Sequence, residues 1–199
     1  MHIEWGTVAS TDEPVSVASF KEHARTASST EDTYIGYLLT AAREYVEREV
    51  SGGLLLAPRS GTLKMHKFPA GNGTIRLPAP VPNSSDVNVG YFDTSGSTQS
   101  LTRDTDYMTI TPTRGPATVY PITDWPDVHE LDSGHFRPDA VEVAFVAGST
   151  AVDEMAKQAI RLIASDWYER REETCETVSP SIENGLKRIA AKLNWGFYG

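Results

Sequence analysis

The sequence predicts an α+β fold, a small bundle of about four helices with a large β-rich insertion between the second and third helices. Apolar residues recur at helical spacing near both ends of the chain. Between residues 58 and 148, prolines, glycines, threonines and short alternating runs predict strands and turns instead. The 199 residues are 39% hydrophobic and 23% charged, the balance of an ordinary folded domain. We therefore expect a single domain, residues 1–199, whose segments 16–57 and 150–195 form the helical bundle.

Two helices are predicted before the insertion. The shorter spans residues 16–25, and its narrow apolar face consists of Val17, Phe20 and Ala24. The longer spans residues 30–50, with Thr30 as its N-cap and acidic residues in its first turn. The Ser-Gly-Gly sequence at 51–53 is expected to end it. Its apolar face consists of Tyr34, Ile35, Leu38, Leu39, Ala41, Ala42, Tyr45 and Val46.

The insertion, residues 58–148, carries the signals of β-structure. The run VEVAFV at 141–146 alternates larger apolar residues with Glu142 and Ala144, which predicts a strand with one buried face. The run YFDTSGSTQSL predicts a hairpin whose turn lies in residues 93–97. Between residues 111 and 138 proline is frequent and periodicity is weak, so we expect an ordered but irregular loop there.

Two more helices are predicted after the insertion. The first begins at about Val152, and its apolar face consists of Met155, Ala159, Ile160, Ile163, Ala164 and Trp167. The second begins with Ser181 as its N-cap, and its apolar stripe consists of Ile182, Leu186, Ile189, Ala190 and Leu193. Residues 194–199 then form a short aromatic tail.

Composition and charge exclude several classes of function. The formal net charge is −9, from 27 acidic and 18 basic residues, which argues against reading DNA because phosphate binding needs positive charge. Cys175 is the only cysteine, so neither an internal disulfide nor a pair of thiols for a metal is available. No apolar run approaches the roughly 20 residues that cross a bilayer, and the N-terminus lacks a signal-peptide pattern. We expect a protein made in a cytoplasm, with no membrane partner, metal or cofactor.

Three motifs resemble catalytic or ligand-binding sites and are better interpreted as loops and turns. In HELDSGH, His129 and His135 are six positions apart with Gly134 between them, whereas a zinc-binding helix needs two histidines one turn apart. FDTSG lacks the spacing and the second copy that an aspartic protease requires, so a hairpin turn explains it better. GNGTIR lacks the third glycine and the following helix of a dinucleotide site. The sequence therefore predicts no catalytic residues.

A burst of charge, WYERREE, ends the third predicted helix. Helical spacing spreads the charges around the helix instead of gathering them into an acid–base cluster. A solvated helix end explains the pattern, since basic residues there suit the helix dipole. The alternative is a charged contact between subunits, made by Glu169, Arg170, Arg171 and Glu173.

In the order and spacing of its segments, the chain resembles the head-tail connector proteins of long-tailed bacteriophages, also called adaptor or head-completion proteins. The resemblance covers most of residues 30–173, and the chain departs from the family pattern in its first 29 residues, in the loop at 111–138 and in its basic final helix. The segments that carry it are EDTYIGYLLTAAREYVERE, FPAGNGTIRLPAPV, VNVGYFDTSGSTQSL, DYMTI, WP, VEVAFVAGST and AKQAIRLIASDWYERRE.

The resemblance implies a structural virion protein in the neck of the particle, and not an enzyme. Copies would form a ring of about twelve subunits beneath the portal protein. A stopper or tail-completion protein would dock on the tail side of the ring. DNA would pass through the channel without sequence-specific binding, which an acidic channel lining would allow.

The resemblance also bears on the C-terminal aromatic residues Trp195, Phe197 and Tyr198. Large aromatic side chains beyond a last helix either clasp the core of their own chain or anchor a partner. In related adaptors the C-terminal segment reaches the portal. The resemblance therefore implies that these three residues bind portal.

Two other classes of protein stay open. A tail-completion or tail-terminator protein would share the acidic charge and the ring, and would differ only in its place in the particle. A carbohydrate-binding β module or a hydrolase would need a concave polar site with paired carboxylates or exposed aromatic platforms. Trp125 is the only tryptophan of the β-rich region, so this class ranks last.

Overall fold

The structure, a computed structural model, describes residues 1–50, 54–112, 115–131, 134–135, 137–148, 152–170 and 180–193. These residues form helices and two antiparallel sheets, which confirms the predicted α+β class. The chain divides into two compact units. The β unit comprises Met1–Thr7 and Pro58–Gly148, and the helical unit comprises Val8–Ala57 and Ser149–Gly199.

The strands of the β unit form one larger and one smaller sheet. In chain order the described strands are β1 (His2–Trp5), β2 (Arg59–Met65), β3 (Ile75–Arg76), β4 (Asn88–Phe92), β5 (Thr98–Ser100), β6 (Tyr107–Ile110), β7 (Thr118–Pro121) and β8 (Val141–Ala147). The larger sheet has the order β1-β2-β8-β4-β5 and the smaller has the order β3-β7-β6. Strand β1 is not predicted from the sequence, because four residues are too few to show a periodic pattern.

Strand β8 lies at the centre of the larger sheet and confirms the predicted alternation. Val141, Val143 and Phe145 are buried, and the residues between them are at least partly exposed. The Phe145 ring crosses β2 at Gly61, where an added Cβ would lie 2.6 Å from the ring. Trp5 of β1 then packs its ring edge to face against Phe145, with the centroids 5.6 Å apart. Glycine at position 61 therefore permits the packing that holds the edge strand β1.

The smaller sheet corrects the expectation of an irregular loop over residues 111–138. Strand β7 lies inside that range and pairs with β3 on one side and β6 on the other. Its Val119 is fully buried. The run TVYP at 118–121, which ends in a proline and follows Pro116 by two residues, is too short for its alternation to predict a strand. Only pairing with two neighbouring strands, one of them more than 40 residues earlier in the chain, makes it one.

The helical unit contains the four predicted helices. They are α1 (Val17–Ala24), α2 (Asp32–Tyr45), α3 (Glu154–Glu169) and α4 (Pro180–Leu193). None of the described helices is long and apolar enough to cross a bilayer. On α3, Ala156 is fully buried where the pattern had placed Met155. The helices share one core, whose buried residues are Val15, Phe20, Ile35, Leu38, Leu39, Ala42, Val46, Val50, Leu54, Leu56, Ala156, Ala159, Ile160, Ile163, Ala164, Trp167 and Leu186.

Two predicted N-caps are wrong. Helix α2 begins at Asp32, and the hydroxyl of Thr30 instead lies 2.7 Å from that of Ser28, in the turn before the helix. Helix α4 begins with Pro180, so Ser181 lies inside the helix. Proline suits a first helical position because its missing N–H would have no partner there. In both cases the helix begins within two residues of the polar side chain that the sequence indicated as its N-cap.

Helix α2 gives way at Tyr45 to a π-helical turn over Val46–Val50. The predicted stop at residues 51–53 lies outside the described residues. The π turn buries two consecutive side chains, those of Val46 and Glu47. An apolar repeat does not predict a buried glutamate, so the burial of Glu47 is not predicted from the sequence.

The partner of Glu47 is Arg43, which is only 2% exposed. Arg43 donates from Nη1 to Glu47 and from Nε to Glu13, each over 2.9 Å. Glu47 also accepts the backbone N–H of Leu56 at 2.8 Å, and Glu13 accepts the hydroxyl of Thr40 at 3.0 Å. Burial lowers the pKa of Arg43, but the hydrogen bond to Glu13 and the charges of both carboxylates raise it above its ordinary value. We call Glu13, Arg43 and Glu47 the Arg43 cluster.

Replacing Arg43 tests this cluster. We expect Arg43→Met to lower the free energy of unfolding by about 3–5 kcal/mol, because the buried Glu47 carboxylate and the partly buried Glu13 carboxylate lose their cation. Urea unfolding followed by far-UV circular dichroism measures the change. The control is Arg48→Met on the same stretch, where the side chain is exposed and the change is expected within about 0.5 kcal/mol. Equal effects of the two substitutions would show that the cluster contributes little.

Candidate functional site

The hairpin turn between β4 and β5 holds the Asp93 carboxylate in a set of hydrogen bonds. Oδ1 accepts the N–H groups of Ser95 and Ser97 at 2.9 and 3.0 Å and the Ser95 hydroxyl at 2.5 Å, and Oδ2 accepts Gln99 Nε2 at 2.7 Å. Hydrogen bonds from Ser95, Gln99 and Ser97 lower the pKa of Asp93 to about 2. Gly96 completes the turn with a φ of 81°. The predicted hairpin is confirmed. The ionised Asp93 carboxylate stabilises the turn by accepting these hydrogen bonds.

The described residues of the HELDSGH segment, 129–131 and 134–135, are not helical, and His129 lies beside this turn. His129 Nδ1 lies 3.4 Å from the carbonyl oxygen of Thr94. The backbone N–H of Leu131 donates to the His135 carbonyl at 2.7 Å, and Gly134 has a φ of 75°. Neither histidine belongs to a helix, so the two do not share a helix face. Across the described ranges, no three His, Cys, Asp or Glu side chains are grouped so as to hold a metal ion.

A groove of about 820 Å³ lies between two loops of the β unit, residues 67–71 and 124–130. The rings of Phe68 and Trp125 stack there, with centroids 4.7 Å apart and planes 5° apart. Trp125 Nε1 also donates to the carbonyl of Gly73 at 2.8 Å. Stacking and this hydrogen bond hold the two loops together and so fix the shape of the groove.

Carboxylates dominate the charged lining of this groove. Asp124, Asp127 and Glu130 are exposed on one loop, and Lys67 is the basic lining residue on the other. In the part of the chain that the structure describes, these three carboxylates form no ion pair or hydrogen bond. The groove therefore has a net negative charge and an aromatic wall. We call it the acidic groove.

The acidic groove is not predicted from the sequence. A local signal exists, because residues 124–130 contain three acidic residues close to a tryptophan. However, this stretch falls in the range predicted as an irregular loop. The opposite wall, FPAG at 68–71, lies more than 50 residues earlier in the chain, so only the folded β unit brings the walls together.

An apolar surface covers the outward side of β6 and the end of β7. Met108 and Ile110 are 45% and 51% exposed, and Ile122, just after β7, is 47% exposed. Tyr120 pairs with Met108 across the two strands. A group of exposed apolar side chains on neighbouring strands is typical of a surface that contacts another protein.

The residues predicted for subunit and portal contacts are only partly described. Glu169 is exposed at the end of α3. Arg170 follows the helix and forms an ion pair with Asp166, one turn earlier, so it is bound within its own helix end. The remaining predicted contact residues lie outside the described ranges; they are Arg171, Glu173, Trp195, Phe197 and Tyr198.

Comparisons with solved structures reveal the same fold in gene transfer agent (GTA) particles. A chain in the virion of the native particle is 21% identical, and the alignment covers 98% of this chain and 95% of that one with a TM-score of 0.68. Chains in the neck of the empty particle, computed with C6 symmetry, and of the native particle, computed with C12 symmetry, are each 20% identical with TM-scores of 0.66 and the same coverage.

No family model and no curated protein matches the sequence. The similarity to the GTA chains therefore establishes a shared fold over nearly the whole chain.

The Asp93 turn predicts a specific pH dependence. The pKa of Asp93 is about 2 in the folded protein against an ordinary 3.8, so its ionised form stabilises the fold above that ordinary value, and this contribution is lost as pH falls towards 2. We expect wild type to be more stable than Asp93→Asn at neutral pH and the difference to shrink between about pH 4 and pH 2. Urea unfolding midpoints of both proteins measure it. A difference that stays constant through this window would contradict the assigned hydrogen bonds.

Proposed function

We propose that this protein is a structural component of the neck of a phage-like particle, where copies form a ring beneath the portal protein and join the head to the tail. The observation that carries the proposal is the shared fold, since 98% of the chain aligns with chains of solved neck structures. The segments that resemble head-tail connector proteins support the same place in the particle. A tail-side stopper or tail-completion protein would dock on the opposite side of the ring.

A ring suits the symmetry of those necks. The solved neck structures were computed with C6 and C12 symmetry, and a closed ring joins each subunit to the next through two different patches. This chain has patches of different chemistry, namely the apolar surface at Met108 and Ile110, the acidic groove and the end of α3. We assign the α3 end to a subunit contact, made by Glu169, Arg170, Arg171 and Glu173.

The charge of the chain suits a channel that DNA crosses. Its net charge is −9, and DNA phosphates are retained by basic surfaces. A channel wall with acidic side chains from this protein would let DNA slide past without a sequence-specific contact. We infer that acidic side chains of the ring line the channel.

A tail-completion or tail-terminator protein is the second candidate, because acidic charge and a ring fit both places. The carbohydrate-binding alternative is weaker. Trp125 stacks one face on Phe68, and its Nε1–H is already bonded to Gly73, whereas a sugar platform requires a free aromatic face and available polar groups.

Deleting the gene from the genome that encodes the particle tests the proposed place. We expect electron micrographs of lysates to show DNA-filled or leaking heads beside separate, finished tails, because the joining ring is missing. A plasmid copy of the gene, supplied as a control, should restore joined particles. Attached but malformed tails would place the protein in tail completion, and normal infectious particles would refute both candidates.

Deleting residues 194–199 tests the proposed portal contact. We expect the shortened protein to keep its unfolding midpoint but to lose binding to purified portal, since Trp195, Phe197 and Tyr198 are the proposed anchors. Co-sedimentation with portal measures binding. Removing Gly199 alone keeps all three aromatics and serves as the control. An unfolded deletion variant would support a clasp onto the core, and undiminished binding would remove the anchor hypothesis.

A further inference from the structure

Among the described surfaces, the acidic groove and helix α4 have opposite charge. Helix α4 contains Lys187, Arg188 and Lys192 against a single acidic residue, Glu183, in a chain whose net charge is −9. The groove contains three exposed carboxylates against Lys67. Opposite charges on two patches of one chain suit a head-to-tail contact between copies.

Helix α4 presents Lys187 and Arg188 to the outside of the helical unit. Leu186 is buried in the core of the helical unit, and Ile182 and Ile189 pack against that core. Lys187 and Arg188 are exposed on the other side. Lys187 forms an ion pair with Glu183 over 2.8 Å, with both side chains at least half exposed, which is worth little at a surface. Arg188 is therefore the strongest available cation on this face.

The acidic groove suits a guanidinium group in particular. A guanidinium is planar and binds carboxylates with two parallel hydrogen bonds. The groove offers Asp124, Asp127 and Glu130 beside the Phe68–Trp125 stack. The stack and the hydrogen bond to Gly73 hold the groove in shape before any partner arrives, so ordering the loops costs little on binding.

We propose that the acidic groove of one copy binds the exposed basic face of α4, centred on Arg188, of the next copy. This inference rests on the proposed ring. It names the two patches that would meet at each contact between neighbouring copies. In a closed head-to-tail ring, each subunit contributes one groove and one basic helix face. Every groove is then paired with the helix face of a neighbouring copy.

Charge reversal on each side tests the pairing. Asp127→Lys with Glu130→Lys reverses the groove, and Lys187→Glu with Arg188→Glu reverses the helix. We expect each double variant to weaken self-association of the full chain at least about tenfold, because like charges then face each other. Combining all four substitutions is expected to restore association to within about threefold of wild type. Sedimentation velocity over a range of protein concentrations measures the dissociation constants.

The matched control reverses two exposed acidic residues outside the groove, Asp12→Lys with Glu22→Lys. It changes the net charge as much as the groove variant does, and it should leave self-association within about threefold of wild type. Thermal unfolding of every variant separates lost association from lost folding. Equal weakening by the control and the groove variant would overturn the proposal, since net charge alone would then explain the effect.

Cross-linking shows which copies meet and applies even if the free protein is monomeric. Cys175→Ser chains carrying Ala70→Cys in the groove lining are mixed with Cys175→Ser chains carrying Asn184→Cys, one helical turn before Arg188, so that the charged partners stay in place. Disulfides are formed by mild oxidation in solution and in assembled particles. We expect heterodimers linking the two chains in preference to homodimers of either. Their absence from particles that contain the protein would overturn the pairing.

Failure of the pairing and failure of the proposed function are distinguishable. If both charge-reversed variants assemble into normal necks, the pairing is wrong and the place in the neck stands. If each variant blocks assembly but the combination does not rescue it, the groove and the helix bind other partners, and the pairing is again wrong. If the protein is absent from purified necks, the proposed function itself fails.

Discussion

The buried charge of Arg43 is the constraint on which the helical unit depends. Taking a guanidinium out of water costs several kcal/mol unless anions and hydrogen bonds replace the water. Glu13, from the segment before α1, and Glu47, from the π turn after α2, supply both. Glu47 also holds the Leu56 N–H. Three stretches of chain must therefore meet at one point, because moving any of them would leave a charge buried and unpaired.

In the β unit, aromatic packing fixes the positions of the strands and loops. Strand β8 is paired on both sides, and Phe145 reaches across β2 only because residue 61 has no side chain. Trp125 joins two loops that are distant in the sequence by stacking on Phe68 and bonding Gly73. A sheet with such a centre positions its loops and faces firmly, and a rigid surface loses less entropy when another protein binds.

The described surface is divided into patches of different chemistry. Asp93, the carboxylate of the FDTSG motif, is committed to its own turn by its hydrogen bonds. The exposed features differ in chemistry: an apolar strand face, a negative groove with an aromatic wall, and a positive helix face. A subunit that must bind different neighbours in a fixed order benefits from patches that cannot replace one another.

The sequence by itself determined the helices, the β8 strand, the hairpin turn at Asp93 and the α+β class. Each depends on apolar periodicity or on turn residues within a short stretch of chain. Tertiary structure alone decided β1, β7, the π turn with its buried Glu47, and the acidic groove. Strands of four residues have too little pattern to predict, and a buried glutamate has no signal until its arginine is beside it. The groove needs two loops that lie more than 50 residues apart. Local conformational preference depends on adjacent residues, whereas a site formed by distant segments exists only after those segments have packed together.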